Sequence, residues 1–228
     1  MTEQIAIDTR LRPLEAFRAM RRLMVHPDDT REVFNIFRAL RGRSGVKTFL
    51  RFAASCSGQA ILRERPSLLD ALSNRAALRD LPAGSVGRTY LGFMEKENLS
   101  AAGLVQASED WDLEPVPPDL NFFRARMRDA HDLTHTLTGY GRDPLGELCL
   151  LAFMYAHTRN FGMAFMVMMS WSKLPKPART AVKEAWRNGR KAVWFQDQPY
   201  ETLLWRPLDE VRHDLKIARP SQYLALVG

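Results

Sequence analysis

The feature that most constrains the fold and function of this chain is a pair of histidines four residues apart, His131 and His135. Each of them has a carboxylate nearby. Asp132 follows the first histidine directly, and Glu147 follows the second after eleven intervening residues. On an ideal helix each residue is rotated by about 100°, so His131, His135 and Asp132 fall at roughly 0°, 40° and 100° around the axis. One helix face therefore presents three groups that bind metal ions, and Glu147 can join them only if the chain reverses.

The segment 139–144 supplies the signals for such a reversal. Gly139 and Gly141 are typical of a helix end, whereas Asp143 followed by Pro144 is typical of a new helix start. If Asp143 caps the second helix, Glu147 lies in or just past its first turn, where the positive helix end favours an ionised carboxylate. The sequence thus predicts a divalent metal site between two consecutive helices, with His131, Asp132, His135 and Glu147 as ligands.

The histidine pair also has an ordinary structural interpretation. Histidines four residues apart occur on many helix faces, where one ring is hydrogen-bonded and the other is solvated. A zinc protease of the H-E-x-x-H type carries a glutamate as general base in the position of Asp132, so the shorter aspartate argues against that mechanism. Asp132 is better suited to binding the metal itself or to orienting a ligand.

The mixed nitrogen and oxygen ligand set suits zinc, iron, manganese or cobalt, and zinc is the ion we favour. Zinc would act as a Lewis acid. Two histidines and one carboxylate are also the ligands of oxygen-activating iron sites. Asp132 and Glu147 are the candidate catalytic residues, because Glu147 can also act as an acid or base if it leaves the metal.

The spacing of apolar residues predicts an all-α fold, a single-domain multi-helix globule. We expect a flexible N-terminal segment at 1–11, a helical metal-binding domain at 12–220 and a C-terminal tail at 221–228. The predicted helices lie at about 14–24, 30–40, 46–54, 59–80 with breaks at Pro66 and Asn74, 86–97, 120–138, 144–171 with a break near 158–162, 176–190 and 207–217. The 228 residues and the 46% of hydrophobic residues suit one well-buried core.

Charge is unevenly distributed around the net value of +7. Residues 10–65 carry +8 and residues 171–228 carry +5, whereas the segment between them carries −4. The simplest interpretation is a soluble surface rich in arginine, with a membrane surface as the second candidate. We expect no nucleic-acid partner, because no zinc finger, RNA-recognition or basic-zipper signature is present. Residues 1–10 do not form a secretory signal or a convincing transit peptide.

The segment 148–171 is strongly apolar and rich in methionine, and His157, Arg159 and Asn160 interrupt it. The uninterrupted apolar runs are shorter than the roughly 18 to 20 residues needed to span a bilayer. Such a stripe is usually part of the core. Because it begins beside Glu147, the wall of a flexible apolar pocket is the alternative.

The pattern H-D-x-x-H, eleven residues and then Glu resembles the hallmark of the coenzyme Q biosynthesis protein 4 family, and His131, Asp132, His135 and Glu147 match it in full. The resemblance covers roughly residues 12–218. Further blocks that look like family blocks are Gly58–Pro66, Leu81–Tyr90, Gly189, Ala192, Leu203–Leu204, Pro207–Leu208 and Arg212.

The resemblance implies a ubiquinone biosynthesis protein that removes the carboxylate from the ring of a polyprenyl hydroxybenzoate, with oxidation and hydroxylation of the same carbon. It also implies a polyprenyl or quinone lipid ligand, other ubiquinone-biosynthesis enzymes as partners and a peripheral position on a membrane, with a homodimer as an option. The implied location is the cytoplasm, at the inner membrane of a bacterium. Tyr140 and Arg142 are the candidate substrate-binding residues, for the ring and its carboxylate.

Two competing functions remain open. The first is a non-catalytic scaffold that binds polyprenyl lipid, organises a complex of ubiquinone-synthesis enzymes and uses a structural metal. The methionine-rich stripe and the basic flanks motivate it. The second is an unrelated metal-dependent hydrolase, which is disfavoured because no phosphate-binding glycine loop accompanies the site. For Tyr140 and Arg142 the ordinary alternative is a helix-end aromatic and a solvated charge.

Overall fold

Helices make up all the extended regular structure in the described part of the chain. The computed structural model describes residues 9–26, 29–101, 103 and 116–228. Its helices in these ranges are α1 (Pro13–Val25), α2 (Thr30–Ala39), α3 (Ser44–Ala54), α4 (Cys56–Glu64), α5 (Leu68–Ser73), α6 (Arg75–Asp80), α7 (Val86–Lys96), α8 (Pro118–Asp129), α9 (His131–Thr138), α10 (Pro144–Thr158), α11 (Phe161–Trp171), α12 (Lys176–Lys191), α13 (Tyr200–Leu203), α14 (Leu208–Asp214) and α15 (Ser221–Val227). The all-α single-domain fold predicted from the sequence is confirmed.

Short polar side chains mark the starts of many helices, because they accept hydrogen bonds from backbone N–H groups that have no partner inside the helix. The capping residues are Asp29, Ser55, Ser67, Asn74, Ser85, Asp143 and Asn160. The cap at Asn74 and the left-handed residue Arg65 before Pro66 account for both breaks predicted within 59–80. The break predicted near 158–162 is also confirmed, since α10 ends at Thr158 and Asn160 caps α11.

The helix predicted at 120–138 is interrupted at Ala130, which the sequence did not indicate. Ala130 keeps a hydrogen bond to the carbonyl of Arg126, and its own carbonyl accepts from the N–H and the hydroxyl of Thr134. Its ψ of −2° departs from the helical value of about −42°. Helices α8 and α9 are therefore joined end to end, with the first histidine directly after the break.

The centre of the fold is the packing of α10 along α12. Phe153 in α10 and Ala181 and Ala185 in α12 are fully buried there. A methyl group on Gly189 would lie 2.3 Å from the carbonyl oxygen of Phe153, so only glycine permits this close approach. Because α10 carries Glu147 in its first turn, this contact fixes the position of one candidate ligand relative to the core.

A separate, smaller apolar cluster joins α1 and α2. Its buried members are Ala16, Ala19, Met20, Ile36, Ala39 and Leu40, and Phe165, Met166 and Met169 of α11 pack against it. The N-terminal helix pair therefore attaches to the rest of the domain through α11. Among the described residues no helix is both long enough and apolar enough to cross a membrane.

The segment 221–228, which the sequence assigned to a tail, contains α15. Tyr223 in this helix is buried, and Glu184 in α12 accepts hydrogen bonds from the hydroxyl of Ser221 at 2.6 Å and from the N–H of Gln222 at 2.9 Å. The helix is thus held against the body of the protein. Residues 1–8 of the segment predicted to be flexible lie outside the described residues.

A buried ion pair connects α8 to α13. The side chain of Arg126 is only 1% exposed, and its two terminal nitrogens donate to the carboxylate oxygens of Glu201 at 2.6 and 2.8 Å. One of them also donates to the carbonyl of Gln198 at 3.2 Å. Since α8 leads directly into α9, this pair anchors the helix that precedes the histidines.

Replacing Glu201 with glutamine is expected to lower the free energy of unfolding by about 3 kcal/mol, because the buried guanidinium loses its countercharge. Urea denaturation monitored by circular dichroism measures this change. Glu210→Gln is the matched control, since Glu210 lies 3.8 Å from Arg206 in an exposed pair and should cost less than about 0.5 kcal/mol. Equal effects of the two substitutions would contradict a structural role for the Arg126–Glu201 pair.

Candidate metal centre

A glycine turn and an aspartate cap produce the reversal between α9 and α10. Helix α9 ends at Gly139, which has a φ of +80° that favours glycine. The side chain of Asp143 accepts from the N–H groups of Leu145 at 3.1 Å and Gly146 at 3.0 Å, and Pro144 is the first residue of α10. The predicted turn and cap are therefore confirmed, and Glu147 lies in the first turn of α10.

The four residues nominated as ligands come together on the two sides of this turn. His131, Asp132 and His135 each offer one ligand atom, and these atoms lie within 4.8 Å of one another. Oε1 of Glu147 lies 3.5 Å from Nε2 of His135. The three residues of α9 thus form a group that could hold an ion, and Glu147 lies beside one of them, His135. Metal binding itself stays a prediction.

His135 provides the observation that tests whether the residues fit an ion. Its Nδ1 lies 2.9 Å from the carbonyl oxygen of Tyr140, and since a carbonyl can only accept, Nδ1 carries the proton. In the neutral ring Nε2 then carries the lone pair, and this atom is buried with no hydrogen-bond partner among the described residues. Because an unsatisfied buried polar atom costs free energy, a cation at Nε2 fits this arrangement.

A hydrogen bond links the other two members of the α9 face. Nδ1 of His131 lies 3.1 Å from Oδ1 of Asp132. Burial lowers the pKa of His131, but the hydrogen bond with Asp132 and the charge of Glu147 outweigh it, so the net pKa is raised. Burial raises the pKa of Asp132, but the same hydrogen bond and the charge of His131 bring the net pKa below its usual range. Asp132 is therefore ionised, as a metal ligand must be.

Glu147 lies at the open side of the cluster beside Arg142. Nε of Arg142 is 3.6 Å from Oε1 of Glu147, and both side chains are partly exposed. Burial raises the pKa of Glu147, but the imidazole of His135, when it is protonated, and the charges of His131 and Arg142 outweigh burial and lower the net pKa. The arrangement places an ionised carboxylate and a guanidinium together at the mouth of the site.

Aromatic side chains of α7 form the inner wall. The ring of Phe93 stacks on the ring of His135 at 5.7 Å between centroids. Tyr90 is fully buried, and burial, followed by the negative charge of Asp132, raises the pKa of its hydroxyl. Backbone hydrogen bonds from Val86 to Arg206 and from Gly87 to Leu204 fix the start of α7.

The side chain of Tyr140, which was predicted to contact a substrate ring, lies in the core, and substrate contact by this residue stays a prediction. The residue is only 2% exposed, and its ring packs against Phe153 and Tyr223 in the core. The ring faces inward because an aromatic side chain stabilises the core more than the surface. Tyr140 contributes its backbone carbonyl to the site, where it orients His135.

Two residues that the sequence did not nominate hold the turn in place. Arg212 in α14 donates to the carbonyl oxygens of Leu137 at 2.9 Å and Thr136 at 3.1 Å, at the end of α9. The hydroxyl of Tyr223 in α15 accepts from the N–H of Gly141 at 3.0 Å and donates to Asp143. Arg212 occurred in a block that resembles the family, but nothing local in the sequence indicated Tyr223.

Tyr223→Phe is expected to lower the free energy of unfolding by about 1–2 kcal/mol, because the N–H of Gly141 and the carboxylate of Asp143 each lose a partly buried hydrogen-bond partner. Urea denaturation measures the loss. Tyr155→Phe removes a hydroxyl from α10 that makes no hydrogen bond in the described part of the chain, so it serves as control. No difference between the two variants would show that Tyr223 does not hold the turn.

These features define a class of protein: an all-helical domain with a candidate divalent metal site at the turn between consecutive helices. The family model described as "Coenzyme Q (ubiquinone) biosynthesis protein Coq4" matches residues 24–221. The chain therefore belongs to the Coq4 family of coenzyme Q biosynthesis proteins.

Individual relatives agree with the family assignment. A mitochondrial ubiquinone biosynthesis protein COQ4 homolog of Danio rerio is 34% identical over 175 residues, which are 72% of this chain and 60% of that protein. The mitochondrial COQ4 proteins of Podospora anserina and Yarrowia lipolytica are each 28% identical over 74% and 72% of this chain. The matches span 56% and 63% of those two proteins, so the chain covers less than two thirds of each of these relatives.

A solved structure supports the fold. A crystal structure of a Nostoc punctiforme protein, provisionally described as a ubiquinone biosynthesis protein, superimposes with a TM-score of 0.66. The superposition covers 91% of this chain and 99% of that one, at 21% sequence identity. At this identity the likeness establishes the shared helical architecture only.

Proposed function

We propose that this protein acts in ubiquinone synthesis and removes the carboxylate from the ring of a polyprenyl hydroxybenzoate, with hydroxylation of the same carbon when oxygen is present. The observation that carries this proposal is the buried, unpartnered Nε2 of His135 beside two ionised carboxylates, with Arg142 at the opening. This arrangement joins a cation site to a group that binds anions. A ring carboxylate is an anion of suitable charge for that opening.

His131, Asp132, His135 and Glu147 are the residues that would hold the ion, and zinc is favoured over iron, manganese and cobalt. A bound divalent ion would supply Lewis-acid stabilisation of negative charge on the substrate, and iron would add oxygen activation. The hydrogen bond from Nδ1 of His135 to the carbonyl of Tyr140 fixes the orientation of the ring, so that Nε2 is the nitrogen directed into the cluster. Asp132 holds Nδ1 of His131 and so orients the second imidazole.

Arg142 is the proposed substrate-binding residue. Its guanidinium is partly exposed and lies 3.6 Å from Glu147, so it is free to form a paired hydrogen bond with a ring carboxylate that enters from solvent. Binding the carboxylate in this way would hold the carbon that loses carbon dioxide beside the two carboxylates of the site. The stacked ring of Phe93 supplies an apolar wall that limits water on the inner side.

Glu147 is the proposed proton-transfer group. Its carboxylate is ionised, partly exposed and close to both Arg142 and His135. An ionised carboxylate at this position can accept a proton from the substrate phenol and, in the reaction without oxygen, return a proton to the ring carbon after carbon dioxide leaves. Asp132 is less exposed and is engaged by His131, so we assign it a supporting role in the same chemistry.

We also propose a polyprenyl hydroxybenzoate or quinone lipid as the ligand, other ubiquinone-synthesis enzymes as partners, and a peripheral position on the inner membrane of a bacterium, on its cytoplasmic side. The family assignment and the half-buried apolar helix α11 support the lipid and the membrane. Homodimer formation remains a further proposal.

The alternative is a non-catalytic scaffold that binds polyprenyl lipid, with a metal that only stabilises the turn. The specific observation in its favour is the same apolar helix α11, because a large apolar surface serves binding whether or not a reaction occurs. The two functions differ in turnover. A scaffold would bind the prenylated ring without changing its mass.

The metal prediction is tested with His131→Ala and Glu147→Gln, two partly exposed positions where the fold should persist. Each variant is expected to lose at least about tenfold in metal affinity, because a ligand is removed or loses its charge. Elemental mass spectrometry of the purified proteins measures metal content, and circular dichroism checks the fold. The control is His213→Ala, an exposed histidine on α14. Full metal retention in both site variants would contradict the proposed metal site.

The catalytic prediction is tested with metal-defined protein and a short-tailed prenyl hydroxybenzoate, with and without oxygen. We expect mass spectrometry to detect loss of the carboxylate, with a gained hydroxyl only in the presence of oxygen. Arg142→Ala is expected to raise KM by about tenfold or more, because the paired contact with the carboxylate is lost. An exposed arginine on another face, Arg63, provides the control substitution to alanine. Tight binding without any product would favour the scaffold.

A further inference from the structure

Helix α11 is apolar all round and yet is mostly only half-buried. Its segment Phe161–Trp171 contains no charged residue, and Gly162 is its only buried member. Met168 is 72% exposed and Phe161 is also exposed. A helix of this composition is normally covered, and its 11 residues are too few for the roughly 20 needed to cross a bilayer. A binding partner that covers α11 must therefore lie along the side of the helix.

Helix α1 lies beside α11 and extends the same apolar surface. At one end, a methyl group on Gly42 would contact both Leu11 at 3.2 Å and Phe161 at 3.4 Å. At the other end, Nζ of Lys173 lies 3.0 Å from the sulfur of Met24. The two helices therefore lie close to each other at both ends.

The exposed large apolar side chains of α1 are Leu14, Phe17, Met24 and Val25, of which Leu14 is 64% and Val25 is 71% exposed. Leu14 and Val25 lie on the side of α1 opposite its buried residues Ala16 and Ala19. We call Leu14, Phe17 and Val25, together with Phe161 and Met168 of α11, the α1–α11 surface. Exposed apolar side chains grouped on neighbouring helices mark an interaction site.

Basic residues border this surface. Helix α11 is flanked by Arg159 and Lys173, and Arg18 and Arg21 are exposed among the apolar side chains of α1. The segment 9–26 contains five basic residues and one acidic residue, and the segment 171–192 contains seven and one. The charges that border the surface are thus mostly positive, which favours an anionic partner.

A tryptophan lies where the apolar surface meets the basic segment. The guanidinium of Arg179 and the ammonium of Lys183 lie 5.8 and 5.5 Å from the ring centre of Trp171. Lys173 is two residues further along the chain. Tryptophan with neighbouring lysine and arginine is the composition found at the headgroup level of membranes, where the ring is amphipathic and the cations contact phosphates.

We propose that the α1–α11 surface docks in the plane of an anionic phospholipid bilayer. Leu14, Phe17, Val25, Phe161 and Met168 enter the boundary between headgroups and acyl chains. Trp171, with Arg179 and Lys183, lies at the level of the phosphates. This inference rests on the proposed function only for the membrane location, and it adds which face of the protein meets the lipid.

A second copy of the chain fits the same surface less well. A two-fold contact brings the same patch of both copies together, so Arg18, Arg21 and Lys173 of one copy would approach the basic residues of the other. Like charges that meet in a partly desolvated interface oppose association. An anionic bilayer instead matches both features. Its acyl chains contact the apolar side chains, and its negatively charged headgroups contact the basic border.

The test is co-sedimentation of the full chain with vesicles of phosphatidylcholine alone or mixed with phosphatidylglycerol. The protein is expected to bind the anionic vesicles at least about tenfold more strongly than the neutral ones. The double variant Phe17→Ser/Met168→Ser is expected to reduce binding to the anionic vesicles at least about tenfold, because two inserted side chains are lost. Lys173→Glu should reduce it at least about fivefold.

Matched controls come from other parts of the domain. Trp205→Ser removes an exposed aromatic residue between α13 and α14, and Lys96→Glu reverses a charge at the end of α7. Both should bind anionic vesicles like the unmodified chain. Circular dichroism of every variant confirms that the fold is retained.

Equal binding to both vesicle types, or unchanged binding of the surface variants, would overturn the proposal. So would a dimer in analytical ultracentrifugation that Phe17→Ser/Met168→Ser dissociates while vesicle binding persists, because the surface would then join two copies. The assay uses neither metal nor substrate, so its outcome is independent of the decarboxylation. Failure of one proposal can therefore be told apart from failure of the other.

Discussion

The hydrogen bond between Nδ1 of His135 and the carbonyl of Tyr140 is the interaction on which the candidate site depends. It joins the last turn of α9 to the following loop, and it fixes which ring nitrogen is protonated. The other nitrogen is then directed toward Glu147 on the next helix. Because the loop is itself held by Arg212 and Tyr223, the orientation of one imidazole is tied to two helices far along the chain.

The parts of the fold that could be predicted from sequence are those with a local cause. The spacing of His131, Asp132 and His135 places them on one helix face wherever that helix lies, and Gly139 and Asp143 determine the turn through their own backbone and side-chain preferences. The helix break at Asn160 has the same kind of origin. These features needed no knowledge of the packing.

The parts that could not be predicted depend on packing between distant segments. The side chain of Tyr140 faces the core because Phe153 and Tyr223 are there to receive it, and neither is near it in sequence. Helix α15 is short and lies beyond the last strong helical pattern. Its hydrogen bonds to Glu184 therefore could not be predicted from the sequence. The same holds for the burial of Arg126, which depends on a carboxylate 75 residues away.

The distance in sequence between the turn and its supports has a consequence for how the site forms. Gly141 and Tyr223 are 82 residues apart, and Arg212 reaches a carbonyl 75 residues before it. Contacts of such long range are entropically costly to close and tend to form late in folding. On a ribosome, both histidines and the glycine turn would emerge well before the tyrosine that secures them. The nascent chain would therefore carry these residues without the two contacts that hold the turn until α14 and α15 are in place.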